Sequence, residues 1–285
     1  MEKISVILPA KNESAALRAL LPELRRVVGD AEIIIVDDGS TDDTVELCRE
    51  NHVKVVSHPY SMGNGAAIKT GARNATGEIL VFMDADGQHK PEDIPRLLDK
   101  LAQGYHMVVG ARSRKSQAGF HRATANGFYN WLASWMVGQK VSDLTSGFRC
   151  VWASKFRKFS YLLPNGFSYP TTITMSFFRA GYGVTYVPIE APKRIGKSHV
   201  KIVRDGVRFL LIIFKIGTLY SPLKIFMPIS LAFFTLGIGH YLYTLIAMHR
   251  FTNMSTLLLV TSVVVFLMGL VSEQITSLNY KDSDA

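Results

Sequence analysis

Thiols are scarce in this sequence: Cys48 and Cys150 are its two cysteines. They give no disulfide framework and no Cys-x-x-Cys motif, so a stapled secreted scaffold is excluded and a reducing, cytosolic setting is expected. A second absence lies at the N-terminus. Residues 1–9 carry a short apolar strand pattern without a basic region ahead of it, which predicts no cleavable signal peptide. A third is the lack of a phosphate-binding loop. Gly63-Asn64-Gly65 is followed by neither Lys-Ser/Thr nor the last glycine of Gly-x-Gly-x-x-Gly, which argues against ATPases and classical dinucleotide enzymes. The fourth is charge. Ile225–Met248 runs for 24 residues and Phe251–Ser272 for 22 without Lys, Arg, Asp or Glu. Elsewhere acids are outnumbered, 23 against 32 Lys and Arg, and the net charge of +9 suits nucleic acid, anionic lipid or phosphorylated substrates.

What the chain does contain is organised around Ile79-Leu80-Val81-Phe82-Met83-Asp84-Ala85-Asp86-Gly87-Gln88. Five apolar residues read as a buried parallel strand, and two carboxylates follow at its end. In open α/β sheets ligands bind at the carboxyl ends of strands, and a carboxylate pair there suits a hard divalent cation that also touches a diphosphate. Other apolar runs, Ile4–Leu8, Ile33–Val36, Val53–Val56, Met107–Gly110 and Val184–Val187, alternate with helical stretches. The helices are predicted from Ser14, as a cap, to about Val28; after Thr41-Asp42-Asp43-Thr44, with acids in the first turn; over Ala66–Asn74; from Pro91; over Phe120–Val137; and over Thr171–Ala180. The alternation predicts an α/β domain with a mostly parallel sheet and helices on both faces. Asp37 and Asp38 end the second strand, either as a turn and helix cap or as a carboxylate for the base or ribose of a nucleotide. In the 120–137 helix Arg122, Asn126 and Asn130 share a face, and Trp131 and Trp135 are expected to pack in the core.

Between Lys193 and Lys224 there are eight Lys or Arg and one Asp. Lys201, Arg204, Arg208 and Lys215 fall near one helical face, with Phe209, Leu210, Ile213 and Ile216 largely elsewhere, a pattern for an amphipathic helix on an anionic membrane surface and against nucleic acid. The two uncharged runs are each long enough to span hydrocarbon, joined at His249-Arg250; Pro228 and His240 inside the first read as a local kink and a tolerated polar residue. Basic residues precede the first span, so the large domain is expected in the cytoplasm and the short tail on the same side. The predicted organisation is a catalytic domain over 1–200, an amphipathic juxtamembrane segment over 201–221, a hairpin over 222–280 with spans at about 225–248 and 251–272, and a tail over 281–285.

With these stretches in order, the sequence resembles the family 2 glycosyltransferases of the GT-A fold. It is most similar to the polyprenyl-phosphate branch, which includes dolichol-phosphate mannose synthases and bacterial undecaprenyl-phosphate sugar transferases. The resemblance runs from residue 3 to about 205. It rests on Ser5–Glu13, Asp37–Thr44, Asp84–Gln88, Gly110-Ala111-Arg112 and Asp143-Leu144-Thr145-Ser146-Gly147-Phe148-Arg149. It implies nucleotide-sugar contacts at Pro9, Ala10, Glu13, Asp38, Asp84 and Gln88, and a Mg2+ or Mn2+ site at Asp84, Asp86 and Gln88. It implies lipid-phosphate contacts at Arg112 and Arg122, and catalytic work for Asp86, Arg112, Arg122 and Asp143. Asp143 is open between orienting the acceptor or cations and capping a turn. The family's late Arg-x-x-Gly-x-Ser-Lys stretch is here Lys193-Arg194-Ile195-Gly196-Lys197-Ser198-His199, so Arg194 and Lys197 are expected to supply the phosphate-binding cations. The implied partners are a nucleotide sugar, a polyprenyl phosphate and the bilayer of the cell's inner membrane, with a homo-oligomer left open. Two rivals remain: a processive polysaccharide synthase, disfavoured by the missing Gln-x-x-Arg-Trp motif and by only two spans, and a non-catalytic membrane scaffold.

Overall fold

The computed structural model describes residues 2–112, 120–166, 168–190, 217–250 and 252–280, and only the backbone of 120–126 and 279–280. The chain forms two compact units, Met1–Val200 and Lys201–Ala285.

In the first unit seven strands make one sheet: β1 (Ile4–Ala10), β2 (Glu32–Asp37), β3 (Lys54–Ser57), β4 (Ile79–Phe82), β5 (Met107–Arg112), β6 (Arg149–Trp152) and β7 (Val184–Ile189). Their order is β3-β2-β1-β4-β6-β5-β7. Pairing is parallel except at β6, which runs antiparallel to both β4 and β5. The unbroken apolar runs have the stated cause: Val6, Ile7 and Leu8, Ile33 to Val36 and Leu80 to Phe82 are buried on both faces. On one side Leu17, Leu20, Leu21 and Leu24 of α1 (Ser14–Val28) and Leu97 and Leu101 of α4 (Ile94–Leu101) join the core, together with α2 (Thr44–Glu50). On the other, α3 (Asn64–Asn74) approaches β1 so closely that a Cβ on Gly71 would lie 2.3 Å from Ile7 Cγ2. The other α-helices of this unit among the described residues are α5 (Phe120–Val137), α6 (Ala153–Phe159) and α7 (Tyr169–Arg179).

Three differences from the sequence reading have physical causes. β6 and α6 carry no apolar run long enough to announce them, and β6 opens on a fully buried arginine, Arg149. Ser14 is not the cap of α1. Glu13 holds that position without capping the helix through its own side chain, and the Ser14 N–H is taken by the Asp42 carboxylate at 3.3 Å. Trp131 and Trp135 do not pack in the core: they are 61% and 44% exposed, because α5 buries Ala133 and Met136 instead.

The second unit contains α8 (Pro222–Met248) and α9 (Asn253–Tyr280), the two helices long and apolar enough to cross a membrane among the described residues. They pack through small and hydroxylated residues, as helices in lipid do. Ser230 Oγ donates to Ser262 O at 2.9 Å and Ser262 Oγ returns the bond to Ser230 O at 3.0 Å. His240 shares a 2.9 Å hydrogen bond with Ser255 Oγ, so the polar residue inside this apolar helix is satisfied by its neighbour helix. A Cβ on Gly237 would meet Leu259 at 2.9 Å, which is why the helices can approach there. Most of the juxtamembrane segment 201–221 and the tail lie outside the described residues.

Candidate functional site

The strand order reverses around β1, which lies between β2 and β4, so the carboxyl ends of β1, β2 and β4 open onto one crevice. Pro9 and Ala10 end β1 and are in register with Val36 and Asp37. Asn12, in a left-handed conformation at φ 54, stitches the two loops together. Its N–H donates to Ser40 Oγ at 2.9 Å and its Oδ1 accepts from the Thr41 N–H at 2.8 Å. The Glu13 N–H donates to Thr44 Oγ1 at 3.2 Å, and Asp37 accepts from the Ser40 N–H at 2.9 Å.

Asp38 is buried and already engaged. One carboxylate oxygen meets His58 Nδ1 at 2.8 Å and the Met62 N–H at 2.7 Å; the other accepts from Ser61 Oγ at 2.8 Å and the Gly63 N–H at 2.9 Å. Burial alone would raise this carboxyl, but those donors outweigh it and hold it below the usual carboxylate range. In this arrangement Asp38 shapes the 58–63 wall of the crevice. His58, whose other ring nitrogen meets Thr70 Oγ1 at 2.9 Å, is a site residue the sequence did not disclose.

The glycines after this wall serve packing. The N–H groups of Gly65 and Ala66, at the start of α3, donate to the carbonyls of Gly166 and Asn165 at 3.1 and 2.8 Å. A Cβ on Gly65 would lie 2.0 Å from Pro164 O. That helix end therefore serves a neighbouring loop, in keeping with the absence of a phosphate-loop signature.

Asp84, Ala85 and Asp86 follow β4. The Asp84 carboxylate is 36% exposed and is seated over Gly147, where a Cβ would come within 2.6 Å of Oδ2. Asp86 Oδ1 accepts from the Gln88 N–H at 3.1 Å across a turn whose Gly87 has φ 74. His89, also missed by the sequence reading, is buried beneath them. It stacks on Phe148 at 5.0 Å between ring centroids and accepts the Asp84 N–H on Nδ1 at 3.2 Å. Burial lowers its pKa to about 4, so it is neutral near pH 7 although Asp84 Oδ2 lies 3.9 Å away.

Arg112, at the end of β5, is bound to Asp143. Its Nε donates to Asp143 Oδ2 at 2.8 Å, Nη2 to Oδ1 at 3.0 Å and to Thr145 Oγ1 at 2.7 Å, and its N–H to Oδ2 at 3.2 Å. Burial would raise Asp143, yet the guanidinium holds it below the usual range; the same pair keeps Arg112 above its ordinary value. The turn carrying Asp143 is braced from two sides. Asn130 Oδ1 accepts the Leu144 N–H at 2.9 Å and its Nδ2 donates to Ser142 O at 2.7 Å. Tyr169 OH donates to Gly147 O at 3.1 Å, and the buried Arg149 donates to the carbonyls of Ser146 and Pro170. Asn130 could have been found from its face-sharing position on α5; Arg149 and Tyr169 show no sequence signal beyond a short motif and an aromatic loop. The side chain of Arg122, and Arg194 and Lys197 altogether, lie outside the described residues.

Among the described residues Asp84, Asp86 and Asp143 all act on Arg112, and a diphosphate brought to this cluster of carboxylates would be repelled unless a cation offset the excess. Among the described residues no group of three or more His, Cys, Asp or Glu could hold a metal by itself. The donor set is two carboxylates, hard oxygen ligands that suit Mg2+ or Mn2+ when a bound diphosphate supplies further oxygens. The residues therefore fit the implied cation.

A switched, mostly parallel sheet with this strand-end carboxylate pair is the architecture of the GT-A glycosyltransferases. The chain belongs to glycosyl transferase family 2: residues 5–163 match that family, and residues 221–278 match the GtrB C-terminal hairpin. It is 33% identical over 153 residues to an undecaprenyl-phosphate 4-deoxy-4-formamido-L-arabinose transferase of Proteus mirabilis, covering 50% of this chain and 47% of that one. The chain thus spans about half the length of the curated relatives of that group. It is 26% identical over 248 residues to the glycosyltransferase AglJ of Haloferax volcanii, covering 85% of this chain and 81% of the relative. The fold is also that of glucosyl-3-phosphoglycerate synthase from Mycobacterium tuberculosis, solved with Mn2+ and UDP-glucose, at TM-score 0.61 and 23% identity over 74% of this chain and 79% of that one. The chain is therefore a family 2 member of the GT-A type, related to bacterial undecaprenyl-phosphate sugar transferases, with two long apolar helices that match the GtrB hairpin.

Proposed function

We propose that the chain moves a hexose, with inversion, from a nucleotide diphosphate sugar to a polyprenyl phosphate, giving a polyprenyl monophosphate sugar for cell-envelope glycan or protein glycosylation. The observation that carries this reading is the Arg112–Asp143 pair standing with Asp84 and Asp86 at the strand ends of a chain that also carries a membrane hairpin.

Asp84, Asp86 and the Gln88 turn hold the diphosphate end of the donor, and Pro9, Ala10, Glu13 and the wall set by Asp38 hold its nucleoside. A divalent cation, Mg2+ or Mn2+, bound by Asp84 and Asp86 would neutralise charge growing on the leaving diphosphate. The acceptor phosphate is an anion near pH 7, since its second pKa is about 6. It needs placement and a neutralising field rather than a strong base. Arg112, oriented by the two bonds its guanidinium donates to Asp143, and Arg122, Arg194 and Lys197 supply that field. A phosphate oxygen then forms the bond to the anomeric carbon as that carbon's bond to the diphosphate breaks, and the nucleoside diphosphate leaves. Asp143 is the orienter of Arg112; its lowered pKa and full set of donors make it a poor proton acceptor.

Purified protein given polyprenyl phosphate, metal and a panel beginning with GDP-mannose and UDP-glucose should release nucleoside diphosphate and yield a lipid monophosphate sugar by mass. A lipid diphosphate sugar with nucleoside monophosphate would refute the mechanism, a long polymer would favour a processive synthase, and no turnover with any donor would favour a scaffold.

The same reading sets the topology. The catalytic unit and the C-terminus lie on the cytoplasmic face of the plasma membrane and the 249–252 connection lies on the other side. Reporter fusions at the C-terminus and at Asn253 should report opposite sides; equal accessibility would overturn the two-span arrangement.

A further inference from the structure

The turn sequence Thr145-Ser146-Gly147-Phe148-Arg149 holds a glycine whose backbone does not ask for one. Gly147 is not among the residues with positive φ, so an alanine could adopt its conformation. The need for a bare Cα lies elsewhere. A Cβ there would stand 2.6 Å from Oδ2, 2.9 Å from Oδ1 and 3.0 Å from Cγ of Asp84, and apart from its chain neighbours no described atom is nearer. At Gly63 and Gly65 the atom nearest to such a Cβ belongs to the backbone. At Gly147 it belongs to the carboxylate that follows β4. The seat under that carboxylate is braced by buried groups. Tyr169, 1% exposed, donates its hydroxyl to Gly147 O at 3.1 Å, and its ring centroid lies 6.4 Å from that of Phe82, the last residue of β4. The buried Arg149 donates to the carbonyls of Ser146 and Pro170 and to Thr174 Oγ1 at 3.2 Å, which ties the turn to α7. Its guanidinium lies 5.6 Å from the Tyr169 ring centroid.

We infer that Gly147 is a positioning residue: its missing side chain sets the depth at which the Asp84 carboxylate sits, and Tyr169 and Arg149 hold that seat rigid. This role rests on the cation proposed above at Asp84 and Asp86. In that reading the three residues act through Asp84 and touch neither substrate. A cation site is productive only when its ligands are held to within about 0.5 Å, and groups that orient a ligand are worth about 10- to 100-fold in metal affinity. An alanine at 147 has little room to yield, because its own carbonyl is tied to Tyr169 and the Ser146 carbonyl to Arg149. The Asp84 carboxylate, 36% exposed, can yield toward solvent. Restoring ordinary contact with the new methyl would shift it by several tenths of an ångström. That is enough to spoil its pairing with Asp86 while the fold stays in place.

The test uses the full-length protein in detergent, with Mn2+ as the probe and the paramagnetic resonance signal of the free ion as the readout, in parallel with GDP and with UDP present. Gly147→Ala should weaken Mn2+ binding about 10- to 100-fold. Tyr169→Phe keeps the ring and loses only the hydroxyl, and should weaken it about fivefold, the scale of one hydrogen bond. Metal-free melts in chelator test the seat without the cation. Gly147→Ala should lower the Tm in the wild-type background. In Asp84→Ala, which removes all three crowding atoms, the same substitution should raise the Tm by about 1–4 °C, since alanine restricts the unfolded chain. A fall of equal size in both backgrounds would show that Gly147 makes room for something other than Asp84, and would overturn the inference. So would Mn2+ binding by Gly147→Ala as tight as that of the wild type. A wild-type protein that binds no Mn2+ would instead refute the cation itself, before any substitution is made, and the role of Gly147 would fall with it.

Discussion

Asp86→Asn is expected to lower sugar transfer about 100- to 1,000-fold, the scale on which loss of one preorganised electrostatic group at the reacting charge is felt. The side chain keeps its shape and one oxygen, and the Gln88 N–H can still bond to it, so the turn at Gly87 should persist. What is lost is a negative charge beside Asp84 that, in the proposed reaction, would hold the cation against the diphosphate. An unchanged melting temperature with activity restored only in part by raised Mn2+ would separate loss of the cation from loss of fold. Wild-type activity in excess chelator would remove the metal from the reaction and with it the role given to Asp86.

Asp143→Ala should have the second large effect, on both stability and rate. Asp143 is 2% exposed and its partner Arg112 25%, so removal leaves a largely buried guanidinium without its carboxylate. Breaking such a pair costs about 3 kcal/mol, a fall in melting temperature of roughly 6–12 °C for a unit of this size. Asp143→Asn retains hydrogen-bonding capacity and should fall between the two. The pH dependence has a definite sign. The folded pKa of Asp143 is depressed below its unfolded value of about 3.9, so its stabilising contribution is complete above that pH and is lost as pH falls through the lower, folded value. Melts of wild type and Asp143→Ala should therefore differ most near neutrality and converge in strong acid. A constant difference down to the acid limit would show that packing, not charge, is what Asp143 provides. Transfer should fall with Arg112 out of position, chiefly through the lipid phosphate, while nucleoside diphosphate binding changes little.

The sequence alone determined much of this protein. Unbroken apolar runs such as Ile33–Val36 and Leu80–Met83 require burial on both faces, so a parallel α/β sheet was legible from them. Carboxylates placed directly after such runs were bound to lie at strand ends, and two charge-free runs were bound to be apolar helices. These features are local: the period of a pattern and the residue following it suffice. Tertiary structure decided what depends on partners distant in the chain. Asp143 gives no hint in sequence of its partner: β5 brings Arg112 within 2.8 Å of it, 31 residues away, while Asp143 also accepts the Thr145 N–H of its own turn. Asp38 carries a nucleotide-binding signature, yet only the fold shows its oxygens filled by His58, Ser61, Met62 and Gly63. β6 was illegible because a four-residue strand headed by a buried arginine has no apolar period; its neighbours β4 and β5 on either side make it a strand. Trp131 and Trp135 looked like core because hydrophobicity records only the preference for leaving water. Which face of α5 meets the protein was settled by Ala133, Met136 and Asn130, whose small, unbranched or polar side chains fit the sheet unit, and the larger aromatic rings were left outside it.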